Sequence, residues 1–177
     1  ELELHRRVHA HPNILPLLDC IVAEDAIYLV LEYCPAGDLF DAILEVHSNP
    51  ALTQRQRERW AMRTFRELVH AIHWCHQQGV WHRDIKPENI LLSADGHVQL
   101  TDFGLATESS SCDERGKGSL FYMAPELLAS PAEPFGTGLV DSTRADVWSL
   151  GVLLLNMLGG RNPWPCAAYH DDAFQIY

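Results

Sequence analysis

Charged and apolar positions fall on helical spacing from Glu1 to His9, and His11-Pro12-Asn13 ends the pattern, which predicts the closing turns of a helix. Residues 14–22 and 26–32 are rich in apolar and β-branched side chains with polar Ala23-Glu24-Asp25 between them, the pattern of a hairpin. Pro35-Ala36-Gly37 breaks that pattern, and Asp38 stands where it can cap a short helix running to about Val46. Thr53 is placed as N-cap of a long helix to Gln78, on which Trp60, Phe65, Leu68, Val69, Ile72 and Cys75 share a face before Gly79 stops it. Ile90-Leu91-Leu92 and Val98-Gln99-Leu100 form a second hairpin across Ala94-Asp95-Gly96. From Ala106 to Gly118 the chain is Ser-rich, charged and aperiodic, as expected of a mobile loop. Glu126 starts another short helix, residues 131–143 read as a Pro- and Gly-rich loop, and Asp146 to Leu158 as a buried apolar helix. There is no internal repeat and no low-complexity segment.

With 177 residues the chain can bury a sizeable core in about one domain. Its formal charge of −11 argues against general binding to nucleic acid or anionic lipid, both of which need clustered Lys and Arg. An acidic surface suits basic protein partners, and it also serves solubility. Five cysteines lack a CxxC pair or disulfide spacing, so the expected setting is reducing and intracellular, cytoplasm or nucleus. Neither His9-Ala10-His11 nor His73-Trp74-Cys75-His76 has zinc-site spacing. The longest apolar stretch, Val147 to Leu158, is too short for a bilayer span, and no signal peptide is visible.

The chemistry concentrates in His82-Arg83-Asp84-Ile85-Lys86-Pro87-Glu88-Asn89, followed by Asp102-Phe103-Gly104 and then Ala124-Pro125-Glu126. In type, order and spacing these motifs resemble the eukaryotic protein kinases. The resemblance implies an α+β, protein-kinase-like fold that is incomplete: residues 1–33 as the end of a small β-rich lobe, 34–37 as hinge, and 38–177 as most of a helical large lobe. It also implies ATP and Mg2+ as cofactors and phosphoryl transfer to Ser/Thr hydroxyls of proteins. Asp84 would be the catalytic base and Lys86 would reach the γ-phosphate; Asn89 and Asp102 would hold the magnesium ions. Lys86, two residues after the base, and Ser119, seven before Glu126, match the Ser/Thr kinases rather than the tyrosine kinases. A loop serine bonded to its own backbone is the alternative for Ser119.

By the same resemblance, the backbone of Glu32 and Cys34 would bind adenine, Leu31 would gate the back of the pocket and Leu91 would cover one adenine face. Asp38 would meet the ribose, or serve as a helix N-cap. Asp146 would bond the catalytic-loop backbone with His76 beside it, and His82, Phe103 and Leu17 would join a stack aligning the lobes. Glu88 hints at basic residues near the acceptor.

Several positions depart from the family pattern. The Gly-rich phosphate loop and the strand lysine would lie before Glu1, which itself matches the helix glutamate that pairs with that lysine. His5 falls where the stack usually has an aliphatic residue. Beyond Tyr177 would lie the arginine partner of Glu126, whose carboxylate is therefore expected to be buried and unpaired. The usual phosphorylated position, four before Ser119, is Arg115. Ser109, Ser110, Ser111, Asp113 or Glu114 remain to pair with Arg83, if the loop is not simply solvated. Glu3-Leu4-His5-Arg6-Arg7-Val8, Gly118-Ser119-Leu120-Phe121-Tyr122-Met123 and Gly160-Arg161-Asn162-Pro163-Trp164 with Ala168, Asp172, Phe174 and Tyr177 resemble the fungal kinases that repress mating and meiosis. That implies nutrient or differentiation signalling. The rival expectation is a non-catalytic docking module, and for the residues given, taken alone, inactivity. The oligomeric state has no sequence signal.

Overall fold

A capping box starts the longest helix: Thr53 Oγ1 accepts the Gln56 N–H and Gln56 Oε1 accepts the Thr53 N–H, satisfying two otherwise orphaned donors. In the computed structural model, which describes residues 1–130 and 136–176, this helix runs Gln54–Gln77 and packs against the late helix Ser142–Gly159. The full order is α1 Leu2–Val8, β1 Leu17–Val22, β2 Ile27–Leu31, α2 Leu39–Ser48, α3 Gln54–Gln77, a 3-10 turn Pro87–Asn89, β3 Ile90–Leu92, β4 Val98–Leu100, β5 Ser111–Cys112, α4 Pro125–Leu128, β6 Val140–Asp141, α5 Ser142–Gly159 and a 3-10 turn Phe174–Ile176.

Leu68, Ile72 and Cys75 of α3 and Leu150, Leu153 and Met157 of α5 belong to one buried cluster with Val80, Ile85 and Phe103. Each such aliphatic side chain contributes about 1.5–3 kcal/mol by leaving water. Burial pushes the Cys75 thiol up to about 12, so this cysteine packs as a small apolar residue. Trp60, Phe65 and Val69, expected on the same face of α3, pack at its edge and stay partly exposed. No helix among the described residues is long and apolar enough to cross a membrane.

The strands form antiparallel pairs, β1 with β2, β3 with β4 and β5 with β6. The first strand is shorter than its apolar run, because residues 13–15 turn to β4 instead: Leu15 N–H donates to Leu100 O and Leu100 N–H to Asn13 O, both 2.9 Å. Leu92 N–H donates to Gly37 O at 2.9 Å, tying the segment after β2 to β3. Both stitches meet the hairpin that separates Asn89 from Asp102.

Two stretches read as loops carry order. Within Ala106 to Gly118, Trp81 and Thr107 exchange backbone bonds of 3.0 and 2.9 Å, and Ser111–Cys112 pairs with Val140–Asp141. Such two-residue, long-range pairing leaves no periodic trace in sequence. Residues Pro131 to Phe135 of the expected loop 131–143, and Tyr177, lie outside the described residues. The apolar helix begins at Ser142 and not at Asp146, because Asp141 Oδ1 accepts the N–H groups of Thr143 (2.9 Å) and Arg144 (3.1 Å). Ser142 and Thr143 are loop-forming in isolation. Here their hydroxyls are committed, Ser142 donating to Ser109 O and Thr143 accepting from Trp81 Nε1.

Candidate active site

Asp84 sits in a loop with no regular secondary structure, and its carboxylate is held from three sides. Lys86 Nζ lies 2.7 Å from Oδ2, Ser119 Oγ donates to Oδ1 at 2.9 Å, and Asn89 Nδ2 donates to both Oδ2 (3.1 Å) and the Asp84 carbonyl (2.9 Å). Burial pushes the Asp84 carboxyl up, but bonds from Lys86 and Ser119 and the Lys86 charge outweigh it, holding the group below its ordinary value. Burial likewise pushes Lys86 down, and the bond to Asp84 and the surrounding carboxylates carry it above the usual lysine range. Ser119 is therefore no self-bonded loop serine.

Helix α5 fixes this loop through one carboxylate. Asp146, fully buried, accepts the backbone N–H of His82 on Oδ2 (3.0 Å) and of Arg83 on Oδ1 (2.8 Å), while His76 Nε2 lies 2.8 Å from Oδ2. Arg83 takes a left-handed φ of 67°, which costs a non-glycine residue roughly 1–2 kcal/mol. This backbone turn is sustained by the Asp146 bonds, and from it the His82 side chain reaches Thr101 while that of Arg83 reaches Glu114. His82 donates from Nε2 to Thr101 O (3.0 Å) and accepts the Asp84 N–H on Nδ1 (3.3 Å), so its partners assign the tautomer.

The β3–β4 hairpin returns the chain to the same place. Thr101 N–H donates to Asn89 O at 3.0 Å, so the segments bearing Asn89 and Asp102 are joined. Asp102, with φ 62°, accepts the Gly104 N–H on Oδ1 at 3.2 Å and keeps its carboxylate exposed. Because Asn89 commits its amide nitrogen to Asp84, its oxygen is the atom that could coordinate a metal ion. An amide oxygen and a carboxylate form a hard donor set that fits Mg2+.

Phe103, fully buried, lies between two imidazoles, with ring centroids 4.9 Å from His5 and 5.0 Å from His82. His5 donates from Nε2 to Leu15 O at 2.7 Å, and its burial drives its pKa down. An imidazole thus fills the place expected to be aliphatic, with its polar edge satisfied by the α1–β1 connection. Leu17 lies half-buried in β1, opposite Leu31. Glu1, at the N-cap of α1, brings Oε2 within 3.8 Å of where a Cβ on Gly104 would stand.

Glu32 gives its N–H to Pro16 O (3.1 Å), and Cys34, two residues on, is half-buried. Burial and the Glu32 charge push the Cys34 thiol up. Asp38 caps α2, Oδ1 accepting the Asp41 N–H at 2.9 Å, and bridges to half-buried Leu91. Of the possible partners of Arg83, Glu114 is the one engaged, Nη1 to Oε2 at 2.9 Å. Glu126 is half-buried and not enclosed as expected, so its carboxylate keeps contact with solvent, while its carbonyl accepts from Arg115 Nη1.

Sequence reasoning missed Gly118. Its φ is 113°, and a Cβ there would come 2.8 Å from Arg83 O. A Gly-Ser pair inside a polar loop gives no sign of such close approach.

The protein kinase domain model matches residues 1–176. The "Negative regulator of sexual conjugation and meiosis" of Schizosaccharomyces pombe is 40% identical over 188 residues, covering 97% of this chain and 39% of that protein. "Serine/threonine-protein kinase CHK1" of Saccharomyces cerevisiae is 37% identical over 189 residues, covering 100% and 32%. "CBL-interacting protein kinase 32" of Oryza sativa subsp. japonica is 38% identical over 159 residues, covering 87% and 33%. The chain spans roughly a third of the length of these curated relatives. A match over residues 1–176 brings every motif of the loop, hairpin and short helix under one description, and the chain belongs to the protein kinase domain family.

Proposed function

We propose that the protein carrying this chain transfers phosphoryl groups from ATP to Ser or Thr hydroxyls of proteins. The observation that carries the reading is the Asp84 carboxylate, ionised and oriented by Lys86, Ser119 and Asn89 beside exposed Asp102. Asp84 orients the acceptor hydroxyl and takes its proton late, when the oxygen has become acidic enough for a low-pKa carboxylate to accept it. Lys86 places a positive charge where the transferred group passes, and Ser119 keeps Asp84 from rotating. Asn89 Oδ1 and the Asp102 carboxylate would hold Mg2+, which would neutralise charge on the phosphoryl group supplied by ATP.

The backbone of Glu32 and Cys34 binds the adenine edge, Leu91 covers its face, and Asp38 keeps Oδ2 for the ribose while Oδ1 caps α2. The net charge of −11 and exposed Glu88 favour basic acceptor sequences over nucleic acid or anionic lipid. Five free cysteines fit a reducing, intracellular setting.

The test is phosphate transfer from labelled ATP-Mg to a basic Ser/Thr protein by the full natural chain, beside its Asp84→Asn variant. Transfer that Asp84→Asn abolishes supports the reading. No transfer and no magnesium-dependent nucleotide binding would replace it with a docking module.

A further inference from the structure

The Arg83 side chain is cationic and 8% exposed, so it needs a counter-ion. Among the described residues, the acidic side chain within ion-pair distance is that of Glu114, and the second guanidinium nitrogen, Nη2, is buried without a hydrogen-bond partner. The Glu114 carboxylate is shared, Oε2 with Arg83 at 2.9 Å and Oε1 with Lys117 at 2.8 Å. Arg115, between them, turns away and donates to the carbonyls of Glu126 and of Gly138. The short run from Glu114 to Ser119 meets the catalytic loop at successive points. Glu114 takes the Arg83 side chain, Gly118 lies against the Arg83 carbonyl, and Ser119 bonds Asp84. Arg83 precedes Asp84 directly, so this segment takes its side chain through Glu114 and lies against its carbonyl through Gly118, while Asp146 holds its N–H.

We infer that Glu114 is a positioning residue for phosphoryl transfer: it is the fixed counter-ion that seats Arg83, and with it Asp84 and Ser119, so that the segment is ordered without a phosphate. The inference rests on the kinase reading above. It assigns to a genetically encoded carboxylate a task that a phosphorylated hydroxyl would otherwise perform, and no hydroxyl side chain bonds the Arg83 guanidinium among the described residues. The segment's order is thus independent of any upstream enzyme.

The experiment compares the full natural chain with Glu114→Gln and Glu114→Asp, reading kcat and KM with ATP-Mg and a basic peptide, and trypsin cleavage after Arg115 and Lys117. Glu114 is 45% exposed on its side chain, so the variants fold. Glu114→Gln lowers kcat about tenfold with KM for ATP within about twofold, and Glu114→Asp restores most of it. Cleavage accelerates in Glu114→Gln and not in Glu114→Asp. Phosphatase treatment of the wild type changes neither quantity. Wild-type kcat and cleavage rate in Glu114→Gln overturn the inference, as does a phosphatase-treated wild type that loses both activity and trypsin resistance. If no protein transfers phosphate, the kinase reading fails separately, and cleavage after Arg115 decides whether Glu114 seats Arg83: it accelerates in Glu114→Gln and not in Lys117→Gln, which removes only the second ion pair of the same carboxylate, and equal acceleration in both overturns the inference.

Discussion

Ser119 and Asp84 lie 35 positions apart in sequence and share a 2.9 Å hydrogen bond, the serine hydroxyl donating to Oδ1. The bond leaves Oδ2 to Lys86 and Asn89, so each carboxylate oxygen has its own restraint. Asp84→Asn is expected to lower kcat by about 10²–10⁴ and Ser119→Ala by about tenfold, both with little change in KM for ATP. Single-turnover transfer, with melting temperature as a control for folding, measures this.

Asp146 has no solvent to fall back on, since its carboxylate is buried among two backbone N–H groups and His76. Asp146→Ala strands those donors and is expected to cost about 3–5 kcal/mol in urea unfolding. His76→Ala, whose ring is partly exposed, costs about 1 kcal/mol. Equal losses in the two variants would mean that the imidazole, and not the loop backbone, is what the carboxylate serves.

His5 makes stability depend on pH. Burial lowers its pKa, with nearby His9 and His82 adding to the shift while the Leu15 carbonyl and Glu1 oppose it. A group depressed in the folded state contributes fully above its unfolded pKa of about 6.5 and loses that contribution as pH falls through the folded value. Unfolding free energy therefore declines on acidification below about pH 6.5, and His5→Leu flattens the decline. Chemical denaturation at stepped pH separates the two curves; parallel curves would remove His5 from the account.

Gly118→Ala adds a methyl group 2.8 Å from Arg83 O at a φ of 113°. Neither the carbonyl, fixed by the neighbouring Asp146 bonds, nor the Ser119 side can yield easily. The expected loss is about 1–3 kcal/mol in stability, with slower transfer because Ser119 shifts off Asp84. Ala substitution at Gly116, where φ is 67° and a Cβ meets nothing within 4 Å, gives the smaller cost of a positive φ without a clash.

Much of this was legible in the residues. The β3–β4 hairpin announced itself because the Ala94-Asp95-Gly96 turn interrupts two apolar runs, and α3 because Thr53 and Gly79 mark its ends. The placement of Asp84, Asn89 and Asp102 followed, since the hairpin alone returns the chain to the loop. Local pattern could not choose Glu114 over Asp113 or the serines as partner of Arg83, for that choice depends on where β5 anchors against β6. Nor could it foresee the early start of α5, whose first residues lose their loop character only through Ser109 and Trp81. His5 stands out in the sequence as an imidazole among aliphatic positions, but its carbonyl partner ten residues on leaves no local signal.

The double grip of Asp146 on the peptides of His82 and Arg83 bears on how the amide hydrogens exchange with deuterated solvent. Those two N–H groups belong to no helix or strand, where fast exchange is the rule. Here they open only when the loop parts from α5, an event that breaks the core itself. The slowest-exchanging amides of the catalytic region should therefore lie in irregular backbone, and their exchange should report the global opening of the fold.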